Sequence, residues 1–425
     1  MARPRLLPSS RAAPAGSTAA PPIGAFRSLR NRNYRLWAAG ALVSNVGTWM
    51  QRTAQDWLVL AELTPHNATA VGIVMALQFG PSLALLPLTG LAADHFDRRK
   101  LLFVTQAAMG ALALGLGLLT VLGAAQLWHV YVFAFLLGCV SAFDAPARQT
   151  FVSELVGPGD LANAVALNST SFQVARLIGP AAAGILIGTF GSGWSFLCNA
   201  VSFMAMLGAL AALRVGELHR EQRPALQRGS LGEGLRYVRQ RDDLKAVLAM
   251  LFLVATFGLN FPIFISTMAV SVFHVGAHAY GLLSSAMAVG SVIGALLSAR
   301  RVRPRMSLLI AGAAVFGAGC AAAAMMPGYV LFAAALVVVG IAAQTFMIGA
   351  NSTVQLASDP HMRGRVMAIY LAIALGSTPL GAPIVGWVAD AFGPRWALAV
   401  AAVAGIAAAL VGAGHVAKRK TVATA

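Results

Sequence analysis

Four polar residues, Asn45, Thr48, Arg52 and Asp56, recur at three- and four-residue steps inside an otherwise apolar stretch of this 425-residue chain. That spacing puts them on one face of a helix. Arginine and aspartate are costly to hold inside an apolar helix, so they face a cavity, a partner or each other. At i and i+4, Arg52 and Asp56 are placed to pair. A permanent pair would keep Asp56 ionised, so Asp56 carries a proton only if a substrate or a helix movement separates the two. Asp144 is the second candidate for proton coupling. A further stripe, Ser169, Gln173 and Arg176, leads into Gly179-Pro180 and Gly184. Arg176 has no acid on its own stretch, so its counter-charge comes from another helix, water or a bound molecule. The Gly-Pro-x-x-x-Gly run suits a kinked, closely packed helix. Asn45, Thr48, Arg52, Gln173, Arg176, Gln78 and Gln344 are the candidate cavity residues. Asn168, Asn199, Asn351 and Tyr370 are weaker, because each alone serves equally well as a helix-to-helix hydrogen bond.

Such residues need long apolar elements to carry them. The chain is 58% hydrophobic and only 11% charged, and its mean hydropathy of +0.74 is too high for a soluble domain of ordinary composition. A multi-pass membrane protein is expected. A net charge of +17 would point to nucleic acid in a soluble protein, but the location of the charge excludes that partner. Of 31 Lys and Arg, all but Arg52, Arg176 and Arg395 lie near the two ends of the chain or on alternate loops. This is the positive-inside pattern, with the basic loops and both termini in the cytoplasm and the lipid bilayer as the surrounding partner.

Twelve spans are expected, since about 20 apolar residues cross a bilayer as a helix. The first six run roughly from Tyr34 to Leu63, Thr69 to Ala93, Lys100 to Leu122, Leu127 to Ala147, Leu161 to Phe190 and Trp194 to Leu213. The second six run from Leu244 to Val270, Tyr280 to Ala299, Met306 to Met326, Tyr329 to Ala350, Val366 to Phe392 and Trp396 to Val416. This gives a disordered cytoplasmic tail over 1–33, a six-helix bundle over 34–213, a cytoplasmic linker over 214–243, a second bundle over 244–416 and a tail over 417–425. Ser230 to Arg241 has the pattern of an amphipathic helix on the inner surface. The charged loop from Gly90 to Lys100 has a degraded copy from Gly294 to Arg305, about 200 residues on, the mark of an internal duplication. Gly179-Pro180 and Gly184 likewise match Gly381, Pro383 and Gly386. Tandem halves of this kind place a cavity between them at mid-membrane, which argues for transport.

No GxxxxGK[ST] loop, HExxH or GxSxG is present, so neither ATP drive, a catalytic metal nor a serine nucleophile is expected. The chain reads as a non-enzyme with no cofactor. Cys139, Cys198 and Cys320 all fall in apolar stretches without metal-ligand spacing. Asn67-Ala-Thr69 matches a glycosylation sequon.

Gly90-x-x-x-Asp94-x-x-x-Arg98-Arg99 resembles the loop signature between the second and third spans of the major facilitator superfamily. The stretches Gly47 to Leu60, Asp144 to Leu155 and Leu161 to Asn168 look like its branch of enterobactin exporters and related efflux proteins. His95 and Asp97 depart from that pattern, which usually has Arg and Gly there. The resemblance implies twelve helices in two pseudo-symmetric bundles, located in the inner membrane of a bacterium. It also implies export of a siderophore, drug or hydrophobic metabolite, coupled to protons, by a monomer. It further implies a cytoplasmic latch of Gly90, Asp94, Arg98, Arg99 and Asp144, in which Asp94 meets the eleventh span and the arginines meet Asp144. Uptake, or a receptor with a transporter fold, is the alternative.

Overall fold

The computed structural model of the chain describes residue 24 and residues 26–85, 88–89, 96–219, 231–300 and 305–424. All of its regular structure is helical. The first half contributes α1 (Arg32–Trp57), α2 (Ala68–Ala84), α3 (Arg98–Val121), α4 (Leu127–Leu155), α5 (Leu161–Phe190) and α6 (Ser192–Ala211). The second contributes α7 (Leu231–Gln240), α8 (Asp242–Val272), α9 (Ala277–Ala299), α10 (Met306–Met325), α11 (Tyr329–Ala357), α12 (Arg363–Phe392) and α13 (Pro394–Thr424).

Helix starts follow the side chains. Asn31 accepts from the N–H of Tyr34, Asn67 from that of Ala70 and Asp97 from that of Lys100. These are ordinary N-caps, satisfying donors that a helix start leaves open. Asn67 of the sequon and the off-pattern Asp97 therefore both have local structural work. The α5–α6 and α12–α13 junctions are made by single glycines, Gly191 and Gly393, at φ 92° and 100°, a backbone region that side chains disfavour. Identical junctions at equivalent places carry the duplication down to one dihedral.

Packing repeats in the same way. In the first half α1 lies against α5 and α6, α3 against α4 and α6, and α2 against α4; in the second, α8 lies against α12 and α13, α10 against α11 and α13, and α9 against α11. The halves meet through α2 with α12 and α5 with α9, again a symmetric pair. Large apolar side chains such as Leu118, Val201, Met204, Val403 and Leu410 are exposed on the outside, as a surface solvated by lipid allows.

Among the described residues, ten helices, α3 to α6 and α8 to α13, are long and apolar enough to cross a membrane. Twelve were expected, and the two that fall short have separate reasons. With 26 residues α1 is long enough but too polar, because it carries the Arg52/Asp56 stripe. Only 17 residues are described for α2, and the expected extension to Ala93 runs into residues outside the description. Two boundaries also shift. Residues 27–30 form a 3₁₀ turn held by Arg27–Asp160 (3.0 Å) and Ser28–Asn163 (2.8 Å), so the N-terminal tail is shorter than 33 residues; residues 1–23 lie outside the described set. At the other end α13 continues as helix beyond Val416. The amphipathic linker helix is α7, tied to α12 by Arg365–Glu233 at 2.8 Å.

Candidate functional site

A cavity of about 220 Å³ lies between the halves, with walls from α1, α2, α5, α8, α9 and α12. Of the expected cavity residues it includes Arg52, Gln78 and Arg176, together with Asp56. Asn45, Thr48, Gln173 and Gln344 lie outside it. Asn45 accepts from Arg148 (3.2 Å), and the Thr48 hydroxyl donates to the Ser44 carbonyl (2.8 Å). Asn199 donates to Gln51 (2.6 Å), joining α6 to α1.

The anticipated Arg52–Asp56 ion pair does not form. The Arg52 guanidinium lies 5.0 Å from the Trp49 ring centre and 5.6 Å from that of Phe79, and its buried Nε has no hydrogen-bond partner. Two aromatic faces next to the side chain compete with the carboxylate one turn on, and cation–π contact in a desolvated site is worth up to ~2 kcal/mol. Asp56 instead accepts a 3.3 Å hydrogen bond from the Tyr280 hydroxyl of α9. This bond joins the first span to the opposite half. Arg176 reaches the same tryptophan from α5, 5.5 Å from its ring centre. Trp49 is thus flanked by two guanidiniums.

Trp49, Phe79, Phe261 and Tyr280 were not singled out from sequence. Trp49 stands three residues before Arg52, on the same helical face, so a signal was there. Tyr280 is 224 residues from Asp56, and no local pattern links them. The wall from α8 comes from its break: the helix loosens into π turns at Val254–Gly258 and Met268–Val272, bringing Leu259, Phe261, Pro262 and Ile265 to the cavity.

Gly179 and Gly184 of α5 sit where a side chain would not fit. A Cβ on Gly179 would lie 2.5 Å from the Trp49 Cβ, and one on Gly184 2.8 Å from the Ala277 carbonyl of α9. At the symmetric contact, a Cβ on Gly386 would lie 2.5 Å from the Ala68 carbonyl of α2.

The expected latch is only partly within the described residues, since Gly90 and Asp94 lie outside them. The arginines do not meet Asp144. Arg98 pairs with Glu154 at 2.7 Å, and Arg99 donates to the Leu210 and Ala211 carbonyls. Asp144 is already satisfied by Thr105 (2.8 Å), Gln106 (2.7 Å) and Arg148 (3.1 Å). Arg148, at i+4 on its own helix, reaches the acid before residues of a neighbouring helix end do. Glu154, nearly three turns further along α4, is the acid at the level of the α3 start.

The chain belongs to the family described as transmembrane secretion effector, within the major facilitator superfamily; the family model matches residues 23–423. It is similar to the multidrug efflux pump Tap of Mycolicibacterium fortuitum, 26% identical over 83% of this chain and 88% of that one. It is also similar to the enterobactin exporter EntS of Citrobacter koseri, 24% identical over 83% and 84%. A solved bacterial homolog of the human lysosomal transporter Spinster, in an inward-facing and unoccupied conformation, superposes with a TM-score of 0.66 at 15% identity, covering 91% of this chain and 96% of that one. The protein is a secondary active transporter of small molecules across a membrane.

Proposed function

We propose that the chain is a twelve-span exporter of two six-helix bundles in the bacterial inner membrane, with both termini cytoplasmic. It moves a siderophore, a drug or another hydrophobic metabolite outward as a monomer, by alternating access and in exchange for protons. The observation that carries this reading is the charged cavity between the halves, with Asp56 bonded across them to Tyr280. Relatives named for efflux and export favour the outward direction. In this cycle Asp56 is the coupling acid. A proton on it changes the Tyr280 contact and so the tie between α1 and α9, which lets the empty carrier return by a different step from the loaded one. Asp144, held by three partners, serves the base of the first bundle, and Gly90, Asp94, Arg98 and Arg99 hold the cytoplasmic ends together when the outer side opens.

Proton-coupled uptake is the second reading. It is favoured by the cavity lining, which has two guanidiniums and one carboxylate, so that a proton on Asp56 and an anionic substrate assist each other electrostatically. Substrate-panel flux in proteoliposomes, with and without a pH gradient, separates the two. Efflux driven by an inward proton gradient and lost in Asp56→Asn supports antiport. Accumulation with protons supports uptake, and gradient-driven flux unchanged in Asp56→Asn removes Asp56 from coupling.

A further inference from the structure

The charge balance of the cavity narrows its ligand. Arg52 and Arg176 stand against Asp56, and every other lining side chain is neutral. Among the described residues, neither guanidinium has a hydrogen bond or ion pair within this cavity, and Arg52 Nε is buried without an acceptor. Both rest near one tryptophan ring, at 5.0 and 5.5 Å, a contact that leaves their in-plane N–H donors unspent. Arginine presents five such donors in a planar fork matched to carboxylates. The remaining surface is mostly apolar, from Phe79, Leu259, Phe261 and Met287, with the neutral polar side chains of Thr53, Gln78, Ser284 and Thr378 among them.

We propose that the substrate is an organic anion with an apolar or aromatic body, its carboxylate or equivalent acidic group bound by Arg52 and Arg176 beside Trp49 and its body lying on the α8 wall. This rests on the transport reading for its biological sense, but not for its test. A cation is disfavoured, because it would have Asp56 alone, already engaged by Tyr280, and two like charges nearby. A neutral ligand would leave two guanidiniums facing a single carboxylate, one positive charge uncompensated in a low-dielectric site. Export of such an anion is also downhill in an inside-negative cell, by ~2.3 kcal/mol per charge per 100 mV.

Isothermal titration of the purified full-length protein in lipid nanodiscs tests the inference with three isosteric probes: 2-naphthoate, 2-naphthamide and 2-naphthylmethylammonium. Naphthoate is expected to bind at least tenfold more tightly than the amide, with the ammonium weakest. Arg52→Gln and Arg176→Gln should each erase the preference for naphthoate over the amide, while Arg52→Lys retains part of it. Amide binding equal to naphthoate binding, tighter ammonium binding, or no naphthoate binding would overturn the inference. The wild-type comparison needs no variant to fold. Binding with this preference but without flux in proteoliposomes would sink the transport reading and leave the anion site standing; flux without the preference would do the reverse.

Discussion

Asp390, near the C-terminal end of α12, accepts hydrogen bonds from the backbone N–H and the hydroxyl of Thr69, and a further 2.7 Å bond from the N–H of Ala68. A carboxylate of one half therefore caps a helix of the other. Asn67 caps the same helix from within, so α2 has two caps and only one survives separation of the halves. A cap and its favourable interaction with the helix N-terminus are together worth ~1–2 kcal/mol. In Asp390→Ala the population with this end open should rise about fivefold or more. Pulsed electron-spin distances between labels at the exposed Phe190 and Phe392 would read it, and an unchanged distribution would mean that the cap does not hold the halves.

Arg98 and Glu154 form a 2.7 Å pair whose side chains are only 16% and 14% exposed. Removing either one leaves a largely buried charge, and each of Arg98→Gln and Glu154→Gln should lower the melting temperature. A double-mutant cycle between them should give a coupling of ~1–3 kcal/mol. The same cycle between Arg98 and Asp144 should give a coupling near zero, because Asp144 is satisfied elsewhere. A larger Arg98–Asp144 coupling would restore the pairing implied by family resemblance.

A Cβ on Gly281 would collide with the Pro180 carbonyl, where backbone meets backbone across the α5–α9 contact. Nothing flexible is available there to give way. Gly281→Ala should push the halves apart at this contact and lower transport at least tenfold while leaving each bundle folded. Far-ultraviolet circular dichroism and flux, measured together, check this. Wild-type flux would mean that the contact is not part of the working cycle.

Asp56→Asn removes the one negative charge of the cavity. With a separation on the order of 10 Å and an effective dielectric of about 20, the guanidinium-bound anion should gain ~1.7 kcal/mol, or roughly 15- to 20-fold in affinity. Protonation of Asp56 acts in the same direction, so naphthoate binding to the wild type should weaken as pH rises through the titration of Asp56. In Asp56→Asn that dependence should vanish. The groups facing Asp56 are Arg52, Arg176 and Tyr280, and neither arginine titrates in this range. A pH dependence that persists in the variant would place the responsive group elsewhere.

Much of the architecture was legible because lipid imposes it. Long apolar runs, basic alternate loops and a repeated charged loop require a duplicated helical membrane protein, and Gly191 and Gly393 repeat that duplication in backbone geometry. Arg52, Asp56 and Arg176 were also legible, since charge in an apolar helix needs a reason. Their partners were not. Spacing on one helix placed Arg52 beside Asp56, but the aromatic faces of Trp49 and Phe79 and the Tyr280 hydroxyl are supplied by tertiary packing. Resemblance likewise placed an acid near Arg98 and named the wrong one, because Asp144 and Glu154 are on the same helix and only the level of α3 selects between them.

The polarity of α1 bears on how the protein is made. On insertion scales Arg and Asp cost up to about 2.5–3.5 kcal/mol each within a membrane helix, and α1 carries Arg52 and Asp56 within its span, with Gln51 and Gln55 beside and between them. Such a segment partitions poorly into lipid by itself. Its buried face is completed by α5 and α6, more than 100 residues later in the chain. During synthesis α1 therefore has to wait, sheltered at the insertion machinery or held by its apolar successors, until the rest of its bundle emerges. The residues that give the finished carrier its site make its first helix the last to become independent of help.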